Sequence, residues 1–244
     1  MSRVLLLLLV SLTANQMFAS SGDLFRDGTN AFLAGDYARA TKAFGEAAAR
    51  RPAAGTLQNL GITEWRLGNV GPAVLAWERA LWLDPFNRQV HNNLRFARRN
   101  AQLESPELSW YEVVSTWLPV NWWGMIAGFS FWLAVAMGLL PGIFRWRKAV
   151  WHQAVAALGL AFFLLSLPAH LGVKTRSRIG FVLQNATPLR LTPTEDAQFV
   201  THLAAGEPAR LERTRGGFVL IRTSRTVGWI EKGQLGIIAR QLES

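Results

Sequence analysis

The side chains of this 244-residue chain that carry metal or proton chemistry near neutral pH are four histidines, His91, His152, His170 and His202. An imidazole becomes a catalytic base or a metal ligand when a carboxylate or second ligand stands at a fixed short spacing, as in an i, i+4 pair on a helix. None of the four has a carboxylate at that spacing. There is no cysteine, which excludes thiol catalysis, iron–sulfur ligation and disulfides. Phosphate loops, dinucleotide-binding glycine clusters and metalloprotease helix motifs are also missing. The sequence therefore predicts no catalytic residue, no metal and no cofactor. The expectation is a protein that binds and is not an enzyme.

The elements that would position a binding surface are announced by GDYARATKAFGEAAARRP, Gly35 to Pro52, whose skeleton returns as GNVGPAVLAWERALWLDP, Gly68 to Pro85. Sliding the sequence by 33 residues superposes Gly28, Gly35, Ala40, Phe44, Ala47 and Pro52 on Gly61, Gly68, Ala73, Trp77, Ala80 and Pro85. Ala40, Phe44 and Ala47 are four and three apart and so share one face of a helix. Small residues there let a second helix approach closely, the aromatic fills the gap, and the prolines close the second helices. A period in the low thirties with this pattern is the mark of a helix–turn–helix repeat. It resembles the tetratricopeptide repeat, with Tyr37 also in place. Two departures stand out: Ala31 and Glu64 occupy the position of the usual large first-helix residue, and Val70 replaces the second aromatic.

NRQVHNNLRFARRNAQL, Asn87 to Leu103, supplies one more helix, with Val90, Leu94 and Ala97 on one face and Arg88, Arg95, Arg98 and Arg99 largely elsewhere. It reads as a solvating cap, with a basic binding patch as the alternative. In a stacked helical array the first helix of each pair lines the concave side. That places a protein-binding groove on Phe25, Thr29 and Phe32 of one repeat and Gln58, Ile62 and Trp65 of the next. Packing within the repeats is the competing role for Phe32 and Trp65. Tetratricopeptide domains that clamp a terminal carboxylate use Lys and Asn in this groove. The apolar and weakly polar set here suits a hydrophobic partner segment better.

Seven of the eleven tryptophans lie between Trp110 and Trp151, around two uncharged runs. Val113 to Phe144 and Ala149 to Val173 contain no Asp, Glu, Lys or Arg, and each is long enough to cross a bilayer at about 20 residues per span. Arg145, Trp146, Arg147 and Lys148 join them, so the pair predicts a transmembrane helical hairpin over 122–144 and 149–173 with a basic loop at 145–148. Trp122 and Trp123 are expected at one membrane interface, Trp146 and Trp151 at the other. At the amino terminus Arg3, the apolar run Val4 to Leu12 and the small residues after it resemble a secretory signal peptide, residues 1–21, with a retained anchor as the alternative. An exported terminus places the repeats (22–104, followed by a linker, 105–121) outside the cytoplasm, the basic loop inside, and the carboxy-terminal domain outside again. The positive-inside rule agrees at the loop, whereas Lys174, Arg176 and Arg178 after the second span oppose it.

Beyond Arg178 short alternating segments are broken by Gly and Pro. PARLER and GFVLIRT, with Gly206 and Gly216-Gly217 at turns, predict a small antiparallel barrel over 178–240. The order of LRLTP, HLAAGEPARLER, GGFVLIRT and VGWIEKGQL resembles a bacterial SH3-like domain. In such barrels Trp229, Phe218 and Pro193 either pack structurally or line a peptide groove. The fold class expected is thus a multidomain membrane protein: an all-α repeat domain, a two-helix hairpin and a small all-β barrel.

The net charge of +10 is spread out: +3 over 22–104, with eleven basic and eight acidic residues, and +5 over 174–244, with eleven and six. No basic helix with interleaved aromatics emerges, so nucleic acid is not an expected partner. Anionic headgroups or wall polymers are the better counter-charge for the barrel. The order of parts, with HNNLRFARR in the cap, resembles the BatE-like proteins of the Bacteroides aerotolerance (Bat) operon family. That resemblance implies an inner-membrane scaffold beside von Willebrand A-type membrane proteins of the same operon, in an envelope or oxidative-stress role. The alternative is a peptidoglycan receptor whose SH3-like domain grips wall peptides, with the repeats as spacer.

Overall fold

The computed structural model describes residues 21–144 and 150–239. The expected signal peptide, but for Ser21, and the basic loop at 145–148 lie outside the described residues. The chain divides into two compact units. One combines the segment up to Pro106 with the segment from Ile179 onward, and the other is Glu107–Arg178.

In the first unit a helix over residues 21–33, α1, precedes α2 (Tyr37–Arg50), α3 (Ala54–Arg66), α4 (Val70–Leu83) and α5 (Arg88–Ala101). The repeated residues of the sequence have repeated jobs. Gly35 and Gly68 make the turns into α2 and α4 at φ of 80° and 81°, a conformation that a β-carbon disfavours. Gly28 and Gly61 are where the second helix of each pair seats its aromatic. A β-carbon would lie 2.8 Å from the Phe44 ring at Gly28 and 2.5 Å from Trp77 Nε1 at Gly61. Ala40, Phe44 and Ala47, and equally Ala73, Trp77 and Ala80, are buried. Asp36 caps α2 by accepting from the Arg39 N–H at 3.0 Å, and Asn87 caps α5 by accepting from Val90 N–H at 3.1 Å. Val90, Leu94 and Ala97 form the buried face of α5.

The sheet of this unit has seven antiparallel strands: β1 (Ile179–Val182), β2 (Thr187–Arg190), β3 (Phe199–Leu203), β4 (Pro208–Arg215), β5 (Phe218–Arg222), β6 (Val227–Glu231) and β7 (Leu235–Ile237). Its order, β3-β2-β6-β5-β4-β1-β7, is open, with β3 and β7 at the edges. Gly206 and Gly216 turn the chain at positive φ, and register shifts interrupt β2/β3 and β4/β5. The core is built from alternate residues, among them Val219 and Ile221 of β5 facing Ile230 of β6 and Leu189 of β2.

Helices and sheet, which the sequence presents as separate domains, share an interface. α4 buries two faces: Ala73, Trp77 and Ala80 serve the helical pair, while Gly71 and Leu75 meet the sheet. A β-carbon at Gly71 would collide with the carbonyls of Val182 and Leu183, and one at Gly236 with Leu75. Arg79 donates from Nε and Nη2 to the Ile237 carbonyl at 3.0 and 2.7 Å, satisfying an edge acceptor that β7 leaves unpaired. After α5, Glu104 accepts from Ser224 Oγ and Arg225 Nη2, both at 2.6 Å. The Ser224 hydroxyl first, and then Arg225, hold the Glu104 carboxyl below its usual value.

The second unit contains α6 (Trp110–Ser115), α7 (Val120–Ile143) and α8 (Val150–Arg176). α7 and α8, 24 and 27 residues, are long and apolar enough to cross a membrane. Only 6% and 17% of their most apolar stretches are buried, which does not describe core helices of a water-soluble protein. The two helices meet at Gly159, where a β-carbon would stand 2.9 Å from the Ser130 carbonyl. Ser109 and Glu112 close a capping box on α6, with Ser109 N–H donating to Glu112 Oε2 at 2.8 Å. Of the pair expected at one interface, Trp122 is exposed and Trp123 is packed within the unit. Its indole is buried and donates to the Ser115 carbonyl at 3.2 Å.

Candidate functional site

The two helices that carry the expected groove bring part of it together. Thr29 and Phe32 of α1 and Asn59 and Ile62 of α3, with Phe44 behind them, line a cavity of about 220 Å³. Its walls are mostly hydrocarbon. Thr29 turns its hydroxyl back to the Phe25 carbonyl at 2.9 Å.

The other three predicted residues are engaged within the fold. Phe25 packs edge-to-face on Phe44 with ring centres 5.6 Å apart. Trp65 sits between Trp77 at 6.1 Å and Phe96 at 5.7 Å, the packing role anticipated as its alternative. Gln58 is the middle of an amide chain: it accepts from Asn87 Nδ2 and donates to Gln89 Oε1, each at 2.8 Å, while its carbonyl accepts the Trp77 indole at 3.2 Å. Gln58 thereby ties α3 to the start of α5. Asn59, absent from the sequence-based set, is a cavity residue. It adjoins Gln58 and could be found only by knowing the rotation of α3 about its axis.

On the sheet, Trp229 is directly opposite Leu220 of β5 and Arg190 of β2, and Phe218 is opposite Glu231. Alternation along the strands puts Phe218, Leu220 and Trp229 on the face away from the Val219, Ile221 and Ile230 core, each half-buried. Pro193 lies in the loop between β2 and β3, also half-buried. Arg190 Nη2 and Glu231 Oε1 stand 3.8 Å apart beside this face. Sequence reading missed the outward apolar residues Leu191, Phe199 and Val200 around the edge strand β3, which the alternation of QFVTHL does not separate from inward ones.

The histidines remain apart. His91 donates to the Pro85 carbonyl and His170 to that of Ser166, both at 2.9 Å, while His202 lies against Phe199 and His152 against Trp151. Among the described residues no three His, Asp or Glu side chains converge on a point that could hold a metal ion. The chemistry the described surface offers is apolar recognition at the α1/α3 cavity and mixed aromatic and ionic recognition on the sheet. No family model and no curated protein matches the chain.

Proposed function

We propose that the protein is a non-catalytic, membrane-anchored scaffold that holds a partner protein in the groove between α1 and α3. In this reading the helices are tetratricopeptide-like repeats, the sheet is an SH3-like domain, and the whole belongs with the BatE-like envelope proteins. The observation that carries it is the 220 Å³ cavity between two first helices, walled by Phe32, Phe44 and Ile62. It is smaller than the roughly 300–1,000 Å³ of small-molecule sites and suits one anchoring side chain of a partner segment. The repeated Gly–aromatic seats at Gly28/Phe44 and Gly61/Trp77 support the tetratricopeptide likeness. The partner is a hydrophobic helix or extended segment, with membrane proteins of von Willebrand A type as the candidates.

An interface built from about two repeats is small, so the affinity is modest and is raised by confinement of both partners to one bilayer. The location proposed is the bacterial inner membrane with the first unit outside the cytoplasm. Crosslinking in intact membranes with mass spectrometry tests the groove. Thr29→Glu with Ile62→Glu puts two charges at an apolar anchor and should abolish capture of the specific partner at unchanged melting temperature. Undiminished capture of every partner overturns the groove. Pelleting of the protein with purified sacculi, unaffected by this double variant, would favour the peptidoglycan receptor in its place.

A further inference from the structure

We propose that the outward face of α5 is a binding site for a phosphate-type anion. A second cavity, of about 430 Å³, lies along this helix. Arg95 and Arg99 stand one turn apart on it, Arg98 and Gln102 form the adjacent row, His91 begins it, and Ser105 closes its end. Leu94 and Leu103 supply the apolar floor.

Three facts distinguish this cavity from a merely solvated helix face. First, no carboxylate lines it. Of the acidic residues on adjoining segments, Glu78 pairs with the lining residue Arg98, and Glu104 accepts from Ser224 and Arg225. Arg98 is thereby neutralised, and the positive charge of Arg95 and Arg99 is left facing the cavity with no described ion pair. Second, the wall beyond the helix is built by the chain itself. Gln102 takes a left-handed conformation, φ 52° and ψ 39°, its N–H and that of Leu103 both reach the Arg98 carbonyl, and the chain folds back so that Ser105 joins the rim. Third, the lining brings donors of different kinds together: guanidinium groups on the helix, and the amide of Gln102 and the hydroxyl of Ser105 beyond its end. A planar carboxylate offers two acceptors to such a set, whereas a tetrahedral phosphate offers oxygens to donors on several sides.

The phosphate could belong to a soluble compound or to a lipid headgroup, and the experiment separates these. The full-length protein in neutral detergent is titrated with inorganic phosphate and with glycerol phosphate by calorimetry. Retention of phosphatidylglycerol against phosphatidylcholine is followed by native mass spectrometry. Arg95→Gln with Arg99→Gln should weaken binding at least about tenfold, since each removes a charge-assisted hydrogen bond. Ser105→Glu, which adds a competing anion at the rim and leaves both arginines, should do the same. Arg88→Gln, on the same helix but outside the cavity, should leave binding unchanged. Binding of the soluble phosphates with this pattern assigns a soluble ligand, and selective retention of phosphatidylglycerol with this pattern assigns a headgroup. Absence of both, or binding indifferent to the Arg95/Arg99 and Ser105 variants, overturns the site.

Discussion

At the scale of residues, a glycine paired with an aromatic one helix away sets the close approach within each of the two repeated helical pairs. Gly61 is buried with Trp77 against it, and the Trp77 indole reaches the Gln58 carbonyl only because no side chain intervenes at Gly61. Gly61→Val would drive a β-carbon and its methyl groups into the Trp77 ring, which also packs on Trp65. The expected cost is about 1–3 kcal/mol from overpacking, with the indole hydrogen bond lost in addition. Thermal melting of the full chain checks it: Gly61→Val should lower the helical transition by several degrees, while Gly55→Val, at an exposed helical glycine with open space around it, should be neutral or slightly stabilising, since Val has the higher helix propensity. Equal effects of the two would mean that the seat does not constrain the pair.

At the scale of elements, α4 is the helix to which both halves of the first unit are fastened. Its sequence, VGPAVLAWERALWL, is apolar on more than one stripe, and a helix apolar on two sides needs two partners. The repeat register was legible because Gly35 and Gly68, and Phe44 and Trp77, return at fixed offsets that sterics demand. The two long apolar helices were legible because each run lacks charged residues. The second face of α4 was in plain view as Gly71 and Leu75, yet a period-of-33 reading assigns such residues to the repeat and stops there. The Ile237 carbonyl that accepts from Arg79 is 158 positions away, a distance over which no local pattern speaks. At the α1/α3 cavity, likewise, helical period brings Thr29, Phe32 and Ile62 together, but does not show the amide chain that engages Gln58. A prediction follows from α4 itself. Residues 22–106 and 179–239, expressed as two separate chains, should co-purify, because Leu75, Gly71 and Arg79 bury the β1/β7 edge. Leu75→Asp should abolish the complex by placing an unpaired charge where Gly236 approaches. Failure of the wild-type pieces to associate would show that the interface needs the intervening chain.

At the scale of the whole molecule, the unit containing helices and sheet is discontinuous in sequence: the chain leaves it at Pro106 and returns at Ile179. If α7 and α8 each cross the bilayer, that continuity of packing has a topological consequence, since one folded body cannot be divided between two compartments. The number of crossings between Pro106 and Ile179 must be even, independently of any signal sequence. Orientation is a separate matter and rests on charge. Arg145, Arg147 and Lys148 between the spans favour a cytoplasmic loop, and Lys174, Arg176 and Arg178 compete with them. Arg176 donates to Ser115 Oγ at 3.1 Å, a neutral acceptor that leaves its charge in place, so the two sets stay matched and the expected exported amino terminus decides the side. Alkaline phosphatase, which is active only after export, should therefore be active when fused after Leu103 and after Ser244, and inactive after Arg147. The three fusions separate the two claims. Opposite activities at Leu103 and Ser244 would contradict a unit shared across the hairpin, whereas inactivity at both with activity at Arg147 would preserve the unit and invert its side of the membrane.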